Sequence, residues 1–93
     1  MNYYISVLVP LASGRWRALF PDLPDCNVEA ADPDLATMHA ANALYHYAET
    51  LHSEIRVAPP PRDLADIRSD KIWSGANAID WHSSVITMIP LRG

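Results

Sequence analysis

The chain has 93 residues, the size of one small domain, and we predict a single domain over residues 1–93. Apolar residues make up 49% of the sequence and charged residues 19%, a composition that excludes a disordered chain. The single cysteine excludes an internal disulfide, and no apolar run approaches the roughly 18 residues of a membrane span. We therefore expect a soluble protein of the reducing cytoplasm.

The acidic residues are concentrated in the middle of the chain. The net charge is −4, and residues 18–55 contain seven acids but no lysine or arginine. Nucleic-acid binding depends on clustered lysine and arginine, so this section would repel phosphates, and we expect no direct DNA binding. It would attract a basic protein, although an ordinary solvated acidic face is an equal alternative on charge alone.

The N-terminal half predicts three strands joined by short turns. Residues 2–9 are rich in aromatic and β-branched residues that alternate between two partly apolar faces, which favours a strand. A loop over residues 10–14 leads to a second strand over residues 15–20, and a third strand over residues 26–30 pairs antiparallel with it. Between the second and third strands, residues 21–25 read Pro-Asp-Leu-Pro-Asp, in which the two prolines make a rigid corner.

The strongest local prediction is a long helix. Asp32 is a good N-cap, Pro33 suits the first helical position, and no glycine or proline interrupts residues 35–54. The spacing of apolar residues predicts a core-facing stripe made of Leu35, Met38, Ala41, Tyr45, Ala48, Leu51 and Ile55. The apolar arc is widened by Ala36, Ala40, Ala43 and Tyr47. One sheet face needs a narrower arc, so we expect the C-terminal segment or another subunit to cover the flank of this helix.

The rest of the chain predicts a short helix and a final strand. A stiff proline connector over residues 58–61 is followed by a short helix over residues 63–70. A fourth strand covers residues 83–89 and is ended by Pro90. The predicted fold class is therefore α+β: a three-stranded antiparallel meander, one long helix, a short second helix and a final strand.

The sequence does not favour catalysis or metal binding. His39 and His46 lie two helical turns apart, roughly 10 Å along the axis, which is too far to share one ion. His46 and Glu49 could supply two ligands, but no third is evident nearby. Cys26 has acids on both sides, which would raise the pKa of its thiol rather than activate it. We expect no enzyme activity, no catalytic residue, no metal and no cofactor.

The corner and the elements around it resemble the HicB family of antitoxins. In that family a strand ending in Phe-Pro-Asp-x-Pro-Gly-Cys leads through a short strand to a long helix, a proline-containing connector and a further strand. Here Phe20-Pro21-Asp22-Leu23-Pro24-Asp25-Cys26 is followed by an acid-capped, alanine-rich helix and a run of prolines. The similarity extends from Tyr3 to about Pro61, and the final strand fits the same plan.

The resemblance implies a fold, a partner and an assembly. The fold would be a partial RNase H-like domain without the catalytic acids of the nucleases. The partner would be a small, basic, RNA-cleaving toxin of the HicA type, which the antitoxin masks. Relatives of this kind form homo-oligomers, so a dimer or a tetramer is expected.

The sequence also departs from the family pattern. Asp25 and Ala31 stand where the family has glycine, which limits positive φ at both positions. Family members usually carry a C-terminal DNA-binding module, and none is predicted in this chain. Residues 62–82 look like an insertion before the last strand.

The predicted partner-binding residues are Asp22, Asp25 and Glu29. The predicted structural corner consists of Phe20, Pro21, Pro24 and Cys26. An alternative function is a small-ligand-binding or sensing module with the same fold and no toxin partner. Its pocket would lie beneath Trp73, Trp81 and Tyr47, although large aromatic residues more often seal the edge of a core.

Overall fold

The computed structural model describes residues 2–23, 26–70 and 79–91. The elements in chain order are β1 (Asn2–Pro10), β2 (Trp16–Leu19), β3 (Val28–Ala30), α1 (Pro33–Ser53), α2 (Leu64–Arg68) and β4 (Val85–Leu91). The strands form one antiparallel sheet in the order β3-β2-β1-β4. The predicted α+β architecture, with its meander, long helix, short helix and final strand, is confirmed.

β1 is a central strand whose two faces are both covered. It pairs with β2 on one side and with β4 on the other, and all of residues 4–9 are buried. The buried hydroxyl of Ser6 donates a hydrogen bond to the carbonyl oxygen of Leu19 at 3.2 Å. Burial on both faces explains why this strand is apolar almost throughout instead of alternating between apolar and polar residues.

α1 lies across one face of the sheet. Its buried residues are Ala36, Ala40, Leu44, Ala48 and Leu51. They belong to the same core as Tyr4, Leu8 and Phe20 of the sheet side, each of which is 1% exposed. Because the sheet supplies the bulky side chains, the helix face that meets them is mostly alanine.

The predicted core stripe of α1 is therefore wrong for several of its members. Met38 and Tyr45 are 62% and 53% exposed, and Ala41 is exposed as well. Ile55 lies beyond the helix and is 93% exposed. The prediction followed the largest apolar side chains, whereas the close approach of helix and sheet requires the small ones.

Both ends of α1 are capped by local hydrogen bonds. Asp32 accepts a hydrogen bond from the amide of Leu35 at 2.7 Å, which confirms its predicted role as the N-cap. At the other end Ile55 has a φ of 55°, and the amide of Arg56 donates to the carbonyl of Leu51 at 2.8 Å.

Among the described residues, no helix is long and apolar enough to span a membrane.

The second face of the sheet is covered by α2 and by residues near the start of β4. Ile67 of α2 is fully buried against Ile5, Val7 and Val9 of β1. Partly buried residues around this cluster are Leu11, Leu19, Leu64, Ile79, Trp81 and Ile86. The described part of the segment predicted as an insertion is thus an integral cover of the sheet.

β4 is an edge strand that continues past Pro90. In the register with β1, Pro90 faces Tyr3 and is followed by one more strand residue. A proline is tolerated at a sheet edge where its missing N–H would have pointed away from the neighbouring strand. The prediction that Pro90 ends the strand is therefore wrong.

Candidate partner-binding surface

Two backbone hydrogen bonds join the residues at the corner between β2 and β3. The amide of Leu23 donates to the carbonyl of Phe20 at 2.9 Å, and the amide of Cys26 donates to the carbonyl of Leu23 at 3.0 Å. These three residues are at most 5% exposed and belong to the core beneath α1, while Pro21 is half-buried. The corner is thus anchored to the core through its apolar side chains.

Asp22 of the corner is held by an arginine from a distant part of the chain. Its two carboxylate oxygens accept hydrogen bonds from the backbone amide of Arg62 at 2.8 Å and from Nε of Arg62 at 2.5 Å. The same guanidinium donates from Nη1 to Asp70 at 2.6 Å. The side chain of Asp22 is only 5% exposed. The hydrogen bonds from Arg62 to Asp70 and Asp22 raise the pKa of the guanidinium above its usual value. Asp22 therefore fastens the corner to the segment that precedes α2.

Tyr4 fixes the connector between the two helices at a second point. Its hydroxyl donates a hydrogen bond to the carbonyl oxygen of Pro59. Burial raises the pKa of the Tyr4 phenol, and the nearby Tyr47 and Asp22 raise it further. The phenol thus keeps its proton and remains a hydrogen-bond donor. Together with Arg62, it holds the proline connector against the end of the sheet.

Glu29 lies on the exposed edge strand β3. Its Oε2 is 3.2 Å from Nη2 of Arg17, the residue opposite it on β2, and both side chains are more than 40% exposed. With Asn27 and Val28 these residues line a shallow cavity of about 130 Å³. Ligand pockets usually start at roughly 300 Å³, so this cavity is smaller than a typical small-molecule site.

The predicted partner-binding acids do not form one free cluster. Asp22 and Glu29 each hold an arginine, whereas Asp25 and Pro24 lie outside the described residues. Sequence reasoning missed both arginines because they come from outside the acidic section of the chain. The predicted antiparallel pairing of β2 with β3 was a signal for the exposed ion pair between Arg17 and Glu29. Nothing in the local sequence indicated the buried ion pair between Asp22 and Arg62.

Exposed carboxylates at the start of α1 extend the acidic surface of β3. Asp32 and Asp34 are both exposed, and neither forms an ion pair with another described residue. Nδ1 of His39 lies 3.4 Å from the carbonyl oxygen of Glu29, so the first turns of α1 run beside β3. We call Glu29, Asp32 and Asp34 the acidic edge.

Two of the aromatic residues predicted to line a ligand pocket, Tyr47 and Trp81, lie on opposite faces of the sheet. Tyr47 packs into the core beneath α1, whereas Trp81 packs into the cluster on the other face. The guanidinium carbon of Arg68 lies 5.3 Å from the centroid of the Trp81 ring. Trp73 lies outside the described residues. Since the sheet separates Tyr47 from Trp81, the prediction that they line one pocket is wrong.

The histidines are exposed and do not gather into a metal site. Nδ1 of His46 is 3.8 Å from Glu49 on the solvent side of α1, and both side chains are at least 60% exposed. His52, in the last turn of α1, is also exposed. Over residues 2–23, 26–70 and 79–91, no group of three histidine, cysteine or acidic residues is arranged to hold an ion.

Comparisons with known proteins give a likeness in fold alone. No protein-family model matches the sequence, and no curated protein matches it. The N-terminal domain of the Burkholderia pseudomallei antitoxin HicB superposes with a TM-score of 0.76 over 97% of this chain and 98% of that chain, at 13% identity. A chain of the HicA3 and HicB3 toxin-antitoxin complex superposes with a TM-score of 0.66 over 98% of this chain and 99% of its own length, at 17% identity. The chain thus has the HicB-like fold that its corner motif predicted.

Proposed function

We propose that this chain is a non-catalytic antitoxin domain that binds and masks a small, basic, RNA-cleaving protein of the HicA type. The observation that carries the proposal is the likeness, over nearly the whole chain, to an antitoxin domain and to a chain of a toxin-antitoxin complex. The net charge of −4, concentrated in the section that contains the corner and β3, supports the same partner.

The acidic edge, together with Asp25 of the corner, is the surface proposed to meet the toxin. Glu29 is suited to this role because its side chain is 43% exposed on an edge strand. Its ion pair with Arg17 is exposed and therefore worth only about 0.2–1 kcal/mol. A lysine or arginine of the toxin could replace that contact at little cost. Asp22 would act indirectly, since it fixes the shape of the corner by holding Arg62.

Charge reversal at Glu29 tests this surface. The variant Glu29→Lys is expected to weaken binding of a HicA-type protein roughly tenfold at low salt, because it replaces attraction by repulsion at the interface. The difference should shrink at high salt, where exposed charges are screened. Isothermal titration calorimetry at two salt concentrations measures both effects, and an RNA-cleavage assay shows whether the bound toxin is masked.

Glu49→Lys is the matched control. It makes the same change in charge at a side chain that is 60% exposed on the solvent side of α1. We expect its affinity to stay close to that of the unmodified chain. An absence of binding, or an equal loss of affinity in both variants, would contradict the proposed surface.

A further inference from the structure

The segment that follows α1 exposes two β-branched residues almost completely. Ile55 is 93% exposed and Val57 is 94% exposed, the highest values among the large apolar side chains of the described residues. A single exposed apolar residue is common on a protein surface, but two exposed to this degree and only two positions apart are a candidate contact site. We call Ile55 and Val57 the apolar pair.

Ile55 is also held in a backbone conformation that suits glycine. Its φ of 55° lies in the left-handed region. The amide of Ile55 donates to the carbonyl of His52 at 3.3 Å, and the amide of Arg56 donates to that of Leu51 at 2.8 Å. These two bonds form a Schellman motif, in which glycine usually occupies the left-handed position because a β-branched side chain is crowded there. Isoleucine at this position is therefore doubly unfavourable for folding, since it is strained and its side chain stays in water.

The apolar pair is joined to the corner by the proline connector. The antiparallel register places the end of β2, and with it the corner, beside the first residues of β1. The connector is fastened at this same end of the sheet, since Tyr4 of β1 bonds to Pro59 and Asp22 of the corner bonds to Arg62. The corner thus has β3 on one side and the connector that follows the apolar pair on the other.

We propose that the apolar pair is a second contact for the toxin, inserted into an apolar pocket within the basic surface of a HicA-type protein. The inference rests on the proposed function and adds an apolar contact to the acidic one. A residue that is strained and exposed in the free chain gains from burial only in a complex. The stiff proline connector fixes the position of the pair before binding, so less conformational entropy is lost when the complex forms.

Charge around the apolar pair favours a basic protein as the occupant. Nε of Arg56 lies 2.6 Å from the carboxylate of Glu54, so the arginine within the pair is already neutralised by its own chain. The carbonyl groups at the C-terminal end of α1 carry partial negative charge. The net charge of −4 attracts a basic protein and opposes the approach of a second acidic copy. An apolar contact set in negative potential is therefore complementary to an apolar pocket set in a basic surface.

Titration of a HicA-type protein with Ile55→Asn and with Val57→Ser tests the inference. Asparagine is accepted in the left-handed conformation, and both side chains are exposed, so each variant loses its apolar side chain and keeps the fold. Each should raise the dissociation constant roughly tenfold, the scale of one lost apolar anchor. The loss should be equal at low and high salt, because salt does not screen apolar contacts. Isothermal titration calorimetry at both salt concentrations measures it, and the loss caused by Glu29→Lys should shrink at high salt in the same series.

Ile55→Gly separates binding from folding. Glycine adopts the left-handed conformation without strain, so the midpoint temperature of unfolding is expected to rise by roughly 4 °C. The same variant lacks the anchor and should bind the toxin roughly tenfold more weakly. A purely structural role for Ile55 predicts the opposite result, a lower midpoint with no separate loss of affinity. Differential scanning calorimetry and titration of one preparation give both values.

Val85→Ser is the matched control for Val57→Ser. It makes the same change at an exposed residue of β4 that pairs with Leu8, near the other end of β1, and should leave the affinity unchanged. If the unmodified chain binds the toxin and the variants of the apolar pair bind it as tightly, the inference is wrong and the proposed function stands. A chain that binds no HicA-type protein overturns both. Variants that change only the self-association of the chain, measured by sedimentation, would assign the pair to a second copy and also overturn the inference.

Discussion

At the scale of single residues, burial separates two ion pairs that look alike in sequence. The carboxylate of Asp22 is 5% exposed and receives two hydrogen bonds from Arg62, whereas the side chains of Glu29 and Arg17 are both more than 40% exposed. A buried carboxylate that loses its partner keeps the cost of desolvation, and an exposed one regains water. The first pair therefore holds the corner in place, and the second remains available to a partner.

Removing each arginine in turn tests this difference. Arg62→Met keeps most of the aliphatic stem but leaves Asp22 without its main partner, and we expect a loss of about 1–3 kcal/mol in the free energy of unfolding. Arg17→Met should cost no more than about 1 kcal/mol, because it removes an exposed pair. Urea denaturation measures both values. Equal losses in the two variants would contradict the structural role assigned to Asp22.

At the scale of elements, side-chain volume rather than hydrophobicity determines which face of α1 is buried against the sheet. The stripe that meets the sheet contains three alanines, and the larger Met38 and Tyr45 lie outside it. A sheet face filled by Tyr4, Leu8 and Phe20 leaves little room for further bulk. The apolar side chains that do not fit against the sheet are thereby left exposed on the flank of the helix.

Neighbouring alanines of α1 test this packing. Ala40 is fully buried, and Ala40→Leu is expected to destabilise the chain by about 1–3 kcal/mol because the added atoms do not fit. Ala41→Leu makes the same change at an exposed position, and its effect should stay within about 0.5 kcal/mol. The midpoints of thermal or urea unfolding report the difference. If Ala41→Leu were more destabilising than Ala40→Leu, the result would instead support the core-facing stripe predicted from the sequence.

At the scale of the whole molecule, the sheet has two unlike edges. β3 is short and lies beside the carboxylates of the acidic edge, whereas β4 is longer and uncharged. α1 crosses the sheet between them and contacts all four strands. An acidic edge suits a basic partner, so the charged part of the toxin contact proposed above belongs to the β3 side of the sheet.

Local sequence signals determined much of this protein, including its α+β class, the order of its elements and its corner. Asp32 and the prolines act on the backbone of their own neighbours, and strand alternation is read over a few residues, so such features need no tertiary context. The corner motif also indicated the HicB-like fold. Local signals said less about the partner-binding surface, because only the pairing of β2 with β3 linked Glu29 to its neighbour Arg17.

The tertiary structure alone decided which side of α1 is buried, which carboxylates are free and where β4 ends. Arg62 reaches Asp22 from 40 residues away, so no short stretch of sequence contains that contact. The choice between the alanine stripe and the larger residues of α1 depends on the volume that the sheet leaves open. Pro90 remains within β4 because only one side of that strand is paired among the described residues, which depends on the order of strands in the sheet.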